Sequence, residues 1–250
     1  MAAPLDPSRP DRAAGDGAGG GWRAFMSLPV PDLAWEFLRR NGDYRDAWRR
    51  VARRPAAIEP RWGLRFAADP ELPAAKATIF WRPEAAPGLV VPFEPDPIPR
   101  AEEPRSWTPK GVSLRAEDGL HVRLPDGLQL QYRGAARPGT PILVVLSFDS
   151  DFGLRVHAVE RLNRAVAGRK PPASHLTRSQ RERLAKSLAA LDGALSGESY
   201  RQIAARLFGA AVVEAEAWSS SSVRATTIRL VRAGRRLMSG GYLKLLRGGL

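Results

Sequence analysis

Prolines set the first constraint on how this chain folds. Between Pro83 and Pro109 the sequence holds eight of them, at positions 83, 87, 92, 95, 97, 99, 104 and 109. A proline ring fixes φ and removes a backbone donor, so we expect neither a helix nor a central strand in this stretch. The spacing predicts a stiff linker over residues 95–110, which divides a domain at 22–94 from a domain at 111–250.

Before the linker the sequence predicts a leader and two short helices. Residues 1–21 combine Pro, Gly, Asp and Arg with almost nothing to bury, which predicts disorder. An amphipathic helix opens at Asp32 and ends at the Asn41-Gly42 turn, and a second helix opens at Asp43. Six arginines on these helices offer a phosphate-binding surface or, as we favour, a solvated face: Arg39, Arg40, Arg49, Arg50, Arg53 and Arg54.

Residues 61–94 read as short strands and turns, and the run TIFWRP (78–83) is the clearest strand. Large aromatic side chains recur through the whole N-terminal segment. Such a cluster is more often packing than a platform for stacking bases. We therefore predict that it forms a small aromatic core: Trp35, Trp48, Trp62, Phe66, Phe80 and Trp81.

After the linker the period of the pattern changes to two. Apolar and polar residues alternate from Leu120 to Tyr132 around Pro125-Asp126-Gly127, which predicts a β-hairpin with one apolar face. The run ILVVLSF (142–148) follows as a predicted buried strand. We expect Asp149 to Asp151 to cap a helix over residues 152–167. The unit predicted for residues 111–150 is a three- or four-stranded sheet, with this helix packed on it.

The C-terminal residues predict a series of capped helices. Thr177 with Gln180 forms a capping box for a helix over 177–195, and Ser199 with Gln202 forms one for a shorter helix that Gly209 closes. A long loop over residues 210–221, anchored in the core by Trp218, leads to the next helix. That helix runs from an N-cap at Ser222 to Met238 and stops at Ser239-Gly240-Gly241. A last turn, 242–247, docks back through Tyr242, Leu245 and Leu246.

The helix from Ser222 to Met238 has an apolar back and an arginine front. At 100° per residue, Leu230, Val231 and Gly234 share one face, whereas Arg229, Arg232 and Arg236 lie on the opposite face. Positive charge is concentrated around it: residues 171–250 hold 13 Lys and Arg against five Asp and Glu, whereas the preceding segments 1–100 and 101–170 carry only +2 and +3. This asymmetry indicates a polyanionic partner.

Several classes of protein are disfavoured. The chain has no cysteine, which excludes disulfides and thiolate chemistry, and no run of 18 apolar residues that would span a membrane. The carboxylates Asp149, Asp151 and Glu160 are more simply a helix cap and its neighbours than a metal site or an acid/base pair. The histidines at 121, 157 and 175 lack metal-ligand spacing. We predict no cofactor, no metal and no enzymatic activity.

The predicted order is a long helix (177–195), a short capped helix that ends at Gly209, and the arginine-faced helix from Ser222. This order is typical of a helix-turn-helix. Here about twelve residues join the last two helices, whereas a tight motif uses three or four. The alternative is a plain helical bundle with a charged exterior. In the DNA-binding interpretation Arg229, Arg232 and Arg236 reach guanine edges in the major groove. Phosphates would be bound by Arg201, Arg206, Arg224, Arg235 and Lys244. Gln202 and Thr226 complete the predicted DNA-binding set.

Three C-terminal stretches, ILVVLSFDSDFGLR, LDGALSGESYRQIAARLFG and RLVRAGRRLMSGGYLKLLR, resemble the DNA-binding domain family of type VI secretion transcription factors. Two N-terminal stretches, AWEFLRRNGDYRDAW and WGLRFAADPELPAAKATIFWRPE, resemble the transcriptional-regulator-like domain that often precedes it. The resemblance covers most of residues 30–247. It implies DNA binding, and some relatives activate transcription or control excision of mobile elements. The family commonly has Arg after the Gly-Gly-Tyr, whereas here Leu243 follows and Lys244 carries the charge.

These observations predict an α+β fold with a small helical and aromatic N-terminal domain, a linker, and a sheet leading into a helix-turn-helix-like C-terminal unit. The expected function is sequence-specific DNA binding in transcription regulation, at the nucleoid of the cytoplasm, with double-stranded DNA as partner. RNA polymerase, a partner protein or a second copy of the chain are left open as further partners. The alternative is an accessory protein of an integrative conjugative element that controls excision or transfer through protein or RNA contacts.

Overall fold

In the part of the chain that the structure describes, helices lie on both sides of a central sheet in sequence order. A computed structural model describes residues 21–51, 58–98, 107–170, 176–215 and 217–249. Two helices precede the sheet, α1 (Val30–Leu38) and α2 (Gly42–Val51). The strands are β1 (Val90–Pro95), β2 (Val112–Ala116), β3 (Gly119–Arg123), β4 (Gln129–Arg133) and β5 (Ile142–Val144). The later helices are α3 (Phe152–Val166), α4 (Arg178–Leu195), α5 (Tyr200–Phe208), α6 (Ala210–Glu214), α7 (Ser222–Arg236) and α8 (Tyr242–Leu246).

The mixed α+β class is therefore confirmed. Short 3-10 segments at Gly21–Ser27 and Pro60–Trp62 flank the N-terminal helices. The predicted leader lies outside the described residues except for Gly21, as do Arg53, Arg54 and His175. Within the described part of the chain, no helix is long and apolar enough to cross a membrane.

Among the described residues the sheet has five strands in the order β2-β3-β4-β1-β5, rather than the predicted three or four, because β1 joins it from before residue 111. The predicted hairpin is confirmed as β3 and β4, which pair antiparallel from Gly119–Arg133 to Arg123–Gln129. Strand β2 precedes it and pairs antiparallel with β3. Strand β1 runs parallel to β4 and antiparallel to β5. Helix α3 packs against this sheet through Ala158 and Leu162, as expected for the unit.

A central strand runs through the proline-rich stretch, so the expectation that none would do so is wrong. Strand β1 contains Pro92 and Pro95 and lies between β4 and β5. The carbonyl of Pro92 accepts from Val145 N (3.4 Å), just past the end of β5. Pro92 has no N–H group to donate to β5, but the paired residues of β5 end at Val144, opposite Phe93. The proline is tolerated because its neighbouring strand is only three residues long.

Three further local predictions are corrected. The run TIFWRP forms no strand and makes a single bridge, Leu64 to Trp81. The hairpin does not have one wet face, because His121, Gln129 and Gln131 are also buried. The N-terminal segment covers that face and binds Gln129, because Trp81 N donates to Gln129 Oε1 (2.8 Å). The run 142–148 is not a buried strand. Its first three residues form the edge strand β5, in which Val144 is 38 % exposed, and Phe148 beyond that strand is 90 % exposed.

The largest core is shared between the two ends of the chain. Its buried aromatic side chains include Trp35, Trp62 and Trp81 of the predicted aromatic core, whereas Trp48 and Phe66 of that prediction are only half-buried. Tyr44, which was not predicted, is buried with them. Leucines of α4 and Tyr242 of α8 belong to the same cluster. The N-terminal helices thus pack directly on the C-terminal helices. The division of the chain at residues 95–110 stays a prediction.

Candidate nucleic-acid interface

Helix α7 presents the predicted basic surface. Its N-cap is Ser221, whose hydroxyl accepts from Val223 N (3.1 Å), so the predicted cap at Ser222 is wrong by one residue. The buried residues are Thr227, Leu230, Val231, Ala233 and Gly234. Five arginines of the helix are exposed and no acidic residue lies within it: Arg224, Arg229, Arg232, Arg235 and Arg236. The apolar back and arginine front are therefore confirmed.

The back of α7 approaches helix α4 very closely at Gly234. A Cβ at this position would lie 2.6 Å from the backbone oxygen of Ser187 and 2.9 Å from Leu191 Cβ. Leu230 and Val231 pack into a small core with residues of α4 and α5, among them Ala189 and Ile203. Helices α4, α5 and α7 thus form a three-helix unit that fixes which face of α7 points outward.

The C-terminal end of α7 passes into a π-helical turn, Leu237–Gly241, in which Gly240 has φ 117°. The N-terminal helices hold this turn, because Asn41 Nδ2 donates to Met238 O (3.0 Å). Helix α8 then docks into the core as predicted, with Tyr242 Oη donating to Trp62 O (3.1 Å). Lys244 remains exposed on the outer face of α8.

The three polar residues of α5 in the predicted set have different surroundings. Arg201 is exposed, and no hydrogen bond or ion pair joins it to any described residue. Gln202 is the partner in the predicted capping box, since its Oε1 accepts from Ser199 N (2.8 Å). Arg206 binds Glu198 through its Nε (3.2 Å) and donates through Nη2 to Ala189 O (2.9 Å). The structure therefore uses Gln202 and Arg206 within the fold and leaves Arg201 open to solvent.

The predicted loop between α5 and α7 contains a helix. Helix α6 (Ala210–Glu214) follows Gly209 directly, and a turn at 217–220 leads to Ser221. Val213 anchors this connection with 3 % of its surface exposed, whereas Trp218 is only half-buried. The expectation of an open loop anchored by Trp218 is therefore wrong. The connection is ordered by a short helix that begins with two alanines, the best helix formers, and that packs on the core through Val213.

The arginines of the N-terminal helices lie next to acidic residues, whereas, among the described residues, the arginines on the basic face of α7 do not. Arg39 and Arg40 bind Glu36, Arg49 binds Asp46, and Arg50 lies 3.7 Å from Glu59. On α7, Arg229 Nη2 donates to Thr226 Oγ1 (3.1 Å), and no arginine of the helix forms an ion pair within the described chain. The unneutralised positive charge therefore faces solvent on α7.

The carboxylates at the start of α3 serve the fold. Asp149 accepts from Asp151 N (2.9 Å) and from Arg155 Nη2 (2.9 Å), and the hydrogen bond from Arg155 lowers the pKa of Asp149. Asp151 is the N-cap residue but makes no capping hydrogen bond; it instead binds Arg247 of the C-terminal segment (2.5 Å). Among the described residues no group of three or more His, Asp or Glu side chains has the arrangement to hold a metal ion.

Sequence reasoning missed the polar network that joins α1 to α4. Arg40, whose side chain is 10 % exposed, binds both carboxylate oxygens of Asp192, with Nη2–Oδ2 at 2.9 Å, and Glu36 Oε2 at 2.6 Å. Burial alone would lower the pKa of Arg40, but the hydrogen bonds and charges of Asp192 and Glu36 outweigh it and raise the pKa. The four-residue spacing of Glu36 on α1 and Arg40 just after it was the available signal. Nothing in the sequence pointed to Asp192.

Two regions of the chain match known protein families. Residues 145–247 match the family model described as a T6SS transcription factor, DNA-binding domain. Residues 21–67 match the model of a proteobacterial transcriptional regulator-like domain. The resemblance predicted for the two ends of the chain is therefore confirmed, in the predicted order. No curated protein matches the chain.

Residues 145–247 are thus similar to a transcription-factor DNA-binding domain, and residues 21–67 are similar to a transcriptional regulator-like domain. This combination supports a DNA-binding transcriptional regulator with DNA as its partner. Both matched models describe regulation or DNA binding rather than an enzyme family, which fits a protein without enzymatic activity.

Proposed function

We propose that the chain is a sequence-specific transcriptional regulator that binds duplex DNA through α7 in a helix-turn-helix-like arrangement. The single observation that carries this proposal is the arginine front of α7, which is exposed, contains no acidic residue and forms no ion pair within the described chain. Arginine is suited to DNA because it grips phosphates and guanine edges in a bidentate manner. The regulator acts at the nucleoid, in the cytoplasm.

The three-helix unit supplies the frame for this arrangement. Helix α4 and helix α5 hold the back of α7 through the small apolar core around Ile203 and Leu230. This leaves the opposite face of α7 free for a groove, as in helix-turn-helix proteins. Exposed Arg201 on α5 and Lys244 on α8 lie outside that core and would contribute phosphate contacts. Helix α6 makes the connection between α5 and α7 longer than the three or four residues of a tight helix-turn-helix.

A competition experiment tests the proposal. The full chain is titrated with labelled duplex from the region upstream of its own gene, against unlabelled random duplex and an RNA hairpin of equal phosphate number. We expect the upstream duplex to outcompete both, because base contacts in the major groove depend on sequence, whereas phosphate contacts are the same in the random duplex. Binding to the RNA hairpin as tight as to duplex DNA would contradict the proposal and favour an accessory protein that acts through RNA.

A further inference from the structure

We propose that the two halves of α7 contact different parts of the DNA: residues 222–229 contact the bases, and residues 230–236 contact the phosphate backbone. This inference rests on the proposed function, since it takes duplex DNA as the ligand of α7. It departs from the expectation drawn from the sequence, which placed Arg232 and Arg236 together with Arg229 at base edges. Three observations support the division.

Burial changes abruptly along α7. In residues 222–229 only Thr227 is buried, and its hydroxyl donates to Val223 O (2.8 Å) within the same helix. In residues 230–236 four of the seven residues are buried, namely Leu230, Val231, Ala233 and Gly234. The first two turns are therefore the part of the helix that the protein body covers least, and the part most able to enter a groove.

The C-terminal half is held from behind and at its end. Gly234 lies against the α4 backbone so closely that a Cβ would be 2.6 Å from Ser187 O. Beyond it, Met238 O accepts from Asn41, and Tyr242 is almost fully buried. The chain thus turns back into the core directly after Arg236. A groove floor is out of reach for this end, whereas a phosphate strand that passes along its outer face is within reach.

Side-chain size changes along the outward stripe of α7. The stripe begins with Ser222 and Ala225 and continues with Arg229, Arg232 and Arg236, all of them exposed. A helix with its side chains is about 10–12 Å across and the major groove is about 12 Å wide, so a helix approaches the groove floor most closely where its front is small. Ser222 and Ala225 permit that approach in the first half.

Arg229 lies at the boundary between the two halves and is oriented from within the helix. Its Nη2 donates to Thr226 Oγ1 (3.1 Å), and Thr226 is half-buried. The remaining guanidinium donors point to solvent without an acidic partner in the described chain. A straight helix of 15 residues spans about 22 Å, so while its first turns lie in the groove its last turns cross the backbone. Arg229 is then the base-reading arginine, and Arg232, Arg235 and Arg236 bind phosphates.

Selection of bound duplexes from a randomised pool tests the division, with the full chain and three variants. Ala225→Gln should change the preferred base at one or two adjacent positions, since a glutamine in the groove can bind adenine N6 and N7. Arg229→Ala should reduce the ratio of selected-site to random-duplex affinity by about tenfold or more. Arg236→Ala, on the same stripe of the same helix, should weaken both duplexes by the same factor and leave the ratio unchanged.

The outcomes separate this inference from the proposed function. The inference is overturned if Ala225→Gln selects the wild-type site while Arg236→Ala changes it. A wild-type chain that recovers no common site from the pool contradicts the proposed function itself. All three positions are exposed and helical, and circular dichroism with thermal unfolding checks that each variant retains the fold. If Arg229→Ala fails this check, it is replaced by the milder Arg229→Gln, for which a reduced ratio is likewise expected.

Discussion

At the scale of single residues, Arg201 and Arg206 lie on the same short helix but have different roles. Arg206 joins Glu198 to the carbonyl of Ala189 on α4, whereas Arg201 has no partner in the described chain. We expect Arg206→Ala to lower the free energy of unfolding by about 1 kcal/mol, because a buried carbonyl loses a charged donor. Arg201→Ala should leave unfolding unchanged and weaken DNA binding. Chemical denaturation and a duplex titration compare the two variants; equal unfolding free energies would contradict the assignment.

A buried carboxylate of α1 predicts how stability depends on pH. Burial alone would raise the pKa of Glu36, but hydrogen bonds from Ala74 N (2.8 Å), Arg39 Nε (2.6 Å) and Arg40 Nη1 (2.6 Å) outweigh it and lower the pKa below its usual value. The ionised form is therefore preferred by the folded state. Its contribution to stability is present above the unfolded pKa and is lost as the pH falls through the lower folded pKa.

The matched variant is Glu36→Gln, which cannot ionise. We expect it to be less stable than the wild type at pH 7, with a difference that shrinks as the pH falls below about 4.5. Asp32 shifts in the opposite direction, since burial outweighs Arg123 and raises the pKa of Asp32. The comparison must therefore be made as a difference between the two proteins, by denaturation at several pH values. A difference that does not depend on pH would show that Glu36 stabilises the fold without its charge.

At the scale of elements, the contact between α4 and α7 depends on Gly234. We expect Gly234→Ala to destabilise the protein by about 1–3 kcal/mol, because the added methyl would meet Ser187 O and Leu191 Cβ and push the helices apart. DNA binding should weaken at temperatures where the variant is still folded, since the outward stripe of α7 would rotate or shift. Thermal unfolding and a duplex titration measure the two effects.

Gly153 of α3 provides the control, because the same substitution to alanine is expected to stabilise the protein there. No heavy atom lies within 4 Å of a Cβ placed there, and the position is exposed and helical. We expect Gly153→Ala to stabilise the protein by about 0.5–1 kcal/mol, because alanine has less freedom to lose on folding. Loss of stability in this variant, comparable to that of Gly234→Ala, would mean that close helix packing is not what makes Gly234 necessary.

Elements with local signals were predictable from the sequence. Capping boxes place both partners three residues apart, so the starts of α4 and α5 follow from Thr177–Gln180 and Ser199–Gln202. Strand β1 was not predictable in this way. Pro92 is tolerated because β5 pairs only with Phe93 to Pro95, and that is a property of the sheet rather than of the segment. The same holds for buried Gln129, whose partners are about 50 residues away along the chain.

The basic face of the candidate site was also predictable, because helical periodicity alone separates the arginines of α7 from its apolar residues. What periodicity does not reveal is which side chains the fold already uses. Arg206 and Gln202 have the exposure and chemistry of DNA-contacting residues, yet their polar atoms bind Ala189 and Ser199. The burial difference between the two halves of α7 likewise depends on tertiary packing. Residue roles within a correctly placed helix therefore required the structure.

At the scale of the whole molecule, the shared core predicts that both ends of the chain unfold together. Leu188 and Tyr242 belong to the same buried cluster as Trp35 and Tyr44, and Arg40 bridges α1 to Asp192 on α4. We expect a single unfolding transition by fluorescence and by circular dichroism. A fragment of residues 111–250 should bind a hydrophobic dye, because it exposes the leucines that α1 covers. Two separate transitions, or a fragment with native stability, would instead indicate two independent folding units.

The salt dependence of DNA binding tests the central claim that α7 is the DNA-binding surface. The affinity of the full chain for its upstream duplex is measured over a range of salt concentrations, for the wild type and two triple variants of equal charge. The variant Arg232→Gln/Arg235→Gln/Arg236→Gln removes three proposed phosphate contacts. The control Lys76→Gln/Arg115→Gln/Arg137→Gln removes three exposed charges outside the C-terminal helices.

Each phosphate contact contributes about 0.9 to the slope of log affinity against log salt concentration. The α7 variant should therefore lose about 2.7 from the magnitude of that slope, and the control should retain a slope close to that of the wild type. Equal losses in the two variants would mean that only the net charge of the protein attracts DNA. A full wild-type slope in the α7 variant would contradict the assignment of DNA binding to this helix.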